Sequence, residues 1–138
     1  FIGANNIIMR DEYLEAPNKA MERPLFSSAI DTVGGPILSK ILPQICPHGV
    51  VACCGNVGGV EINTTVFPFI LRGISLCGID SAESPLGFKL SLWEKLANEW
   101  KLDLSSVIKI VTKKNLDQEI DLILKGGQQG RVVLSHEE

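Results

Sequence analysis

Residues 49–59, GVVACCGNVGG, set five consecutive small or β-branched side chains (residues 50–54) ahead of a cluster of glycines. A run without alternation predicts a strand covered on both faces, as in a parallel sheet. Gly55 then frees the backbone to turn at the strand's carboxyl end. Residues 28–35 (SAIDTVGG) and 74–81 (ISLCGIDS) have the same form. Three apolar strands that each stop at a small or polar turn share one rim, and in open α/β sheets ligands bind at the carboxyl ends of the strands.

The intervening residues supply the connections. Ile37, Leu38, Ile41, Leu42 and Ile45 recur at helical spacing after Pro36, which suits a first helical turn. Pro43 should stop or bend that helix, and Pro47, His48 and Gly49 should turn the chain into the next strand. The resulting strand-helix-strand unit should be parallel and right-handed. Upstream, Gly3 reads as the stop of a helix ending at residues 1–2, residues 5–9 as a short strand, and residues 11–22 as a loop with at most a short helix. Downstream, residues 66–73 form a compact apolar segment, and residues 86–102 an amphipathic helix with Leu86, Leu90, Trp93, Leu96, Ala97 and Trp100 on one stripe. Its tryptophans are expected to anchor a core. A strand at 107–111, a helix at 116–124 with Ile120, Ile123 and Leu124 inward, and a strand at 130–134 complete the chain.

Composition limits the function classes. A chain of 138 residues fits one domain, and a net charge of -3 offers no basic surface for nucleic acid. No apolar run approaches the roughly 20 residues needed to span a bilayer, so a cytoplasmic protein is expected. Cys46, Cys53, Cys54 and Cys77 lack CxxC spacing, and only His48 and His136 could add nitrogen ligands, so no metal site is expected. Buried free thiols in a reducing compartment are the reading that remains.

Asp31, Thr32, Asn56, Asp80 and Ser81 stand just past the apolar strands. A nucleotide lying across such a rim needs close-approaching backbone more than acids or bases, although the same residues would serve as plain turn caps. No G-x-G-x-x-G follows a strand, and GNVGG at 55–59 does not lead into a helix, so the pyrophosphate cradle of a dinucleotide fold is missing. No G-x-S-x-G nucleophile elbow occurs either.

Residues 29–34 (AIDTVG), 49–55 (GVVACCG) and above all 64–81 (TTVFPFILRGISLCGIDS) resemble the medium-chain dehydrogenase/reductase superfamily. Within it they resemble the zinc-independent branch of quinone oxidoreductases and acrylyl-CoA reductases. The resemblance runs over nearly the whole chain but only over the carboxyl-terminal part of that family's subunit. It implies an α/β fold: a partial Rossmann domain (1–104), a doubly wound parallel sheet lacking its first two strands, and the carboxyl-terminal segment of the catalytic domain (105–138). In the order 3-2-1-4-5-6, residues 6–9 would be strand 3, and residues 28–30, 50–54 and 74–78 strands 4, 5 and 6. Strand 3, without its neighbours, should pack elsewhere or pair between chains.

The resemblance also implies roles. Thr32 and Val33 would lie beside the cofactor ribose, Cys54 and Gly55 at the nicotinamide, and Ile79, Asp80 and Ser81 along its carboxamide, while Arg131 would reach the pyrophosphate and Asn56 would count among the cofactor-binding residues. The cofactor implied is NADP(H), the reaction hydride transfer to a C=C bond conjugated to a carbonyl in a small molecule of quinone or acrylyl-CoA type, and the assembly a homodimer through the strand from Ile74 to Gly78. The family's phosphate-cradling, 2′-phosphate-reading and catalytic residues match nothing here, so this chain alone is expected to be inactive. The rival reading is a non-enzymatic α/β dimerisation or scaffolding module.

Overall fold

The computed structural model describes residues 3–136, so the expected helix end at residues 1–2 lies outside the described residues. The elements in order are α1 (Arg10–Glu15), β1 (Phe26–Asp31), α2 (Gly35–Ile41), β2 (Ile45–Cys53), α3 (Phe67–Arg72), β3 (Ser75–Gly78), α4 (Leu86–Ala97), β4 (Ile108–Val111), α5 (Leu116–Leu124) and β5 (Arg131–Leu134). They fall into two compact units, residues 4–85 and a unit built from residues 86 onward. No helix of the described residues is long and apolar enough to cross a membrane.

In the first unit β2 lies between β1 and β3, and both pairings are parallel. The three strands are those expected from the sequence, in the expected order. Ala29, Val51 and Leu76 are in register, which puts them on one face of the sheet. On that face Leu38, Leu42, Ile45, Val51 and Ile74 form the buried core, joined by Phe26 and Phe69. The helix α2 begins at the glycine pair with Pro36 in its first turn and gives way to a 3₁₀ turn, Leu42–Gln44, at Pro43. The missing N–H of that proline accounts for the change of winding.

Several expectations are corrected. Ile45 opens β2 rather than ending the helix. Residues 47–49 do not turn into the strand but belong to a bulge inside it, residues 46–49, where the register jumps between the pairs Phe26↔Ile45 and Ser28↔Val50. His48 holds a φ of +63° there. Only one face of the sheet is covered: Ile30, on the other, is 80% exposed and Val50 43%. Residues 5–9 form no strand, because no neighbouring strand in the chain offers a ladder to pair with; Ile7 is 84% exposed.

Polar contacts fasten the loops to this unit. The half-buried Arg72 guanidinium donates to the carbonyls of Pro43 (2.8 Å), Ile45 (3.0 Å) and Glu22. Tyr13 donates its hydroxyl to Gln44 Oε1 at 2.6 Å, and Gln44 Nε2 donates to Glu22 Oε2 at 2.8 Å. Lys40, itself buried, donates to the Ala16 carbonyl and sits 5.3 Å from the centre of the Tyr13 ring.

In the second unit β4 and β5 form a parallel pair. Residue Glu119 of α5 is buried, and Lys109 Nζ donates to its Oε1 at 2.5 Å. Here too expectations are corrected. Ile120, Ile123 and Leu124 are exposed, since two strands present too little surface to cover that side of α5. The helix α4 ends at Ala97, and Trp93 (68% exposed) and Trp100 anchor no core among the described residues. Lys95 Nζ lies 4.9 Å from the centre of the Trp100 ring.

Tyr13 is the sole tyrosine, and burial followed by the Glu22 charge pushes its pKa up to about 12. The neutral phenol is therefore favoured by folding. That contribution is present in full below the unfolded value near 10 and is lost as pH climbs through the folded one. Absorbance titration at the phenolate band should give a midpoint near 12 in buffer and near 10 in denaturant, and a native midpoint at 10 would dissociate Tyr13 from this network.

Candidate functional site

The three rim turns converge. Cys54 N–H donates to the Asp31 carbonyl at 2.9 Å and Ile79 N–H to the Cys53 carbonyl at 2.9 Å, so each strand end carries the first residue of the next turn. The turn after β1 is fixed from inside by Asp31, whose side chain is buried at 2% exposure. Gly34 N–H donates to both its oxygens, at 3.1 and 2.9 Å, and Val33 N–H to Oδ1 at 3.3 Å. Cys53 Sγ lies 3.4 Å from Oδ2. Burial, and then this contact with Asp31, pushes the Cys53 thiol up from its ordinary value and so keeps it protonated as the donor.

Glycines let the turns close on one another. Gly34 and Gly59 form a parallel bridge, Gly58 N–H donates to the Val33 carbonyl at 2.8 Å, and a Cβ on Gly34 would lie 2.7 Å from the Gly59 carbonyl oxygen. A Cβ on Gly55 would come within 1.9 Å of the Thr32 carbonyl oxygen. The sequence reading missed this clasp, although its signal was present: a Val-Gly-Gly triplet follows each of the first two strands, at 33–35 and 57–59.

Between the ends of β2 and β3 opens a cleft of about 510 Å³, lined by Cys53, Cys54, Gly55, Asn56, Gly78, Ile79 and Asp80. Its walls are mainly small or apolar, and a Cβ on Gly78 would meet nothing within 4 Å. Such a cleft suits a flat ring approached by backbone. Thr32 and Val33 stand on the adjoining turn. The Asp80 carboxylate is engaged by Ala82 N–H at 3.1 Å and Glu83 N–H at 3.0 Å, so its turn presents backbone rather than a free acid. Ser81 lies exposed in that turn.

Thr32, Val33, Cys54, Gly55, Asn56, Ile79, Asp80 and Ser81 thus come together in the first unit. Arg131 belongs to the second, at the start of β5, where it is exposed and its Nη1 donates to the Gly130 carbonyl at 3.1 Å. The four cysteines are free, as expected, but Cys46 and Cys53 are half-buried and Cys54 and Cys77 exposed, because the strand-end residues face the cleft and the open face of the sheet. Among the described residues no three His, Cys, Asp or Glu side chains gather as a metal-binding group.

A larger hollow, about 600 Å³, runs beside α2, but its buried polar side chains Lys40 and Ser39 are tied to structure. Lys40 holds the Ala16 carbonyl, and Ser39 Oγ donates to the Gly35 carbonyl and accepts from Asn63 N–H. The rim cleft is therefore the candidate site. Urea denaturation should show Gly55→Ala costing at least about 2 kcal/mol through its clash with Thr32, whereas Gly78→Ala, with open space, should be neutral or up to about 1 kcal/mol stabilising. Equal effects would contradict this packing.

No protein-family model matches the chain. Among characterised proteins it is 38% identical to the acrylyl-CoA reductase AcuI of Ruegeria pomeroyi over 134 residues, covering 96% of this chain and 41% of that protein. Among solved structures, Bacillus subtilis YhfP with NAD bound superposes with a TM-score of 0.89 at 36% identity, and Escherichia coli YhdH with bound NADPH with 0.82 at 33%. Each match covers 96% of this chain and 41% of the other. The chain thus spans about two fifths of the length of these relatives. Over that stretch it is related to the acrylyl-CoA reductase and quinone oxidoreductase branch of the medium-chain dehydrogenase/reductase superfamily, as its sequence suggested.

Proposed function

We propose that this chain carries the nicotinamide side of an NADP(H) site in a zinc-independent oxidoreductase that reduces a C=C bond conjugated to a carbonyl, in a quinone or an acrylyl thioester. The observation that carries this reading is the cleft between the ends of β2 and β3, walled mainly by backbone and by small or apolar side chains, with the turn after β1 fastened beside it. It is supported by relatives solved with NADPH and with NAD.

When bound, the cofactor supplies the hydride. The chain's own residues bind and orient. The Thr32–Val33 backbone lies beside the ribose, Cys54, Gly55 and Asn56 form the wall against one face of the nicotinamide, and the turn of Ile79, Asp80 and Ser81 meets its carboxamide.

The free edge of β3, apolar and uncharged from residue 74 to residue 78, is the proposed contact of a homodimer, since an unpaired edge of that composition invites a second strand. Light scattering should then give twice the chain mass of 15.0 kDa, and a single-chain mass refutes the dimer. A cytoplasmic setting would keep the four thiols reduced.

NADPH fluorescence titrated against the chain should saturate, with affinity lowered at least about tenfold by Gly78→Leu, which fills the cleft. The pyrophosphate cradle has no counterpart in this chain, so NADPH oxidation with an enone should stay at background. Turnover by the chain alone would overturn that part. A chain that binds no cofactor yet remains dimeric would be the scaffolding module instead.

A further inference from the structure

The buried Asp31 does more than cap a turn. Both of its side-chain oxygens accept, sharing the one N–H of Gly34 between them and taking the Val33 N–H and the Cys53 thiol besides, which is the inventory of an ionised carboxylate. Every one of those donors is neutral. Among the described residues no Lys, Arg or His lies within 4.0 Å of it, the ion pairs being Lys95–Glu99 and Lys109–Glu119. A carboxylate at 2% exposure without a cation is expensive to bury, because neutral donors offset only part of the lost hydration. For holding a turn alone, a serine or asparagine would serve without that cost.

Its position gives the charge a use. Asp31 pairs in register with Cys53, and Cys53 with Gly78, both of which line the rim cleft. The carboxylate therefore belongs to the row Asp31–Cys53–Gly78 at the strand ends, behind the cleft lining and in contact with the Cys53 sulfur. Asp31 is itself shielded from water, so its field is screened less than that of a surface carboxylate.

We infer that Asp31 is an electrostatic positioning residue, whose fixed negative charge favours the oxidised, positively charged nicotinamide over the neutral reduced ring. This rests on the proposed cofactor site and deepens it. A cleft that favours the positive ring also favours the transition state in which hydride departs, because positive charge is then developing on the ring. A role confined to turn geometry would affect both cofactor forms alike.

The test is a pair of binding constants rather than turnover. NADPH is titrated by its fluorescence and NADP⁺ by displacement of NADPH, on the unsubstituted chain and on Asp31→Asn. Asparagine keeps the oxygen that accepts from Gly34 and removes the charge. The ratio Kd(NADP⁺)/Kd(NADPH) should rise on the order of tenfold, with both forms still bound. A ratio unchanged within twofold overturns the inference while leaving the cofactor site standing. A chain that binds neither form before substitution overturns the cofactor site, and this inference with it. Asp31→Ser, whose hydroxyl also accepts, gives the same reading if the amide variant does not fold, as judged by a thermal melt. The unsubstituted chain supplies an independent arm: it should hold NADP⁺ at least as tightly as NADPH, and a clear preference for NADPH counts against Asp31 in this role.

Discussion

Everything in the first unit depends on β2 having a neighbour on each side. Its ladders hold β1 and β3, Ile45 and Val51 contribute two of the five core side chains, and its carbonyl at Ile45 receives Arg72 from α3. The same strand sets the rim. Cys54 N–H reaches back to Asp31 and the Cys53 carbonyl reaches forward to Ile79, so a shift in the β2 register would move all three turns at once. A one-residue slip would also exchange its covered and open faces. The bulge at residues 46–49 adjusts the phase before the paired stretch begins, and Gly49 is required there because a Cβ would stand 2.4 Å from the Ser27 carbonyl oxygen.

The parts of the fold legible in the sequence were those governed by local pattern. Unbroken apolar runs ending in small residues gave the three parallel strands, Pro36 and Pro43 bounded α2, and the switch between strand and helix periods from 107 to 134 gave β4, α5 and β5. Long-range facts were not legible. Which side of α5 is covered depends on how wide the sheet beneath it is, so Glu119 rather than Ile120 is buried. Likewise the stripe on α4 was read correctly as a stripe but not as an exposed one, since periodicity identifies a face without showing what meets it.

At the site, the positions of the turn residues were readable but their mechanics were not. Asp31 had the appearance of a polar turn residue, and only burial together with four donor contacts distinguishes it from Asp80, whose carboxylate caps an exposed turn. GNVGG lacks the spacing of a phosphate loop. Its contribution, locking against Gly34 and Gly35, depends on a contact between segments more than twenty residues apart, which no motif of fixed spacing records.

The all-parallel pairing also governs how the chain can reach this state. No strand pair is joined by a tight hairpin: Ile30 meets Ala52, and Val51 meets Leu76, only after a helix has been laid between them. Loop-closure entropy must then be met twice before either ladder yields any return, which is the signature of a high relative contact order and of slow, late-forming transition states. During that interval the open edges of β1 and β3 coexist with uncovered apolar side chains, so the period before β2 acquires both neighbours is when this sequence is most prone to self-association.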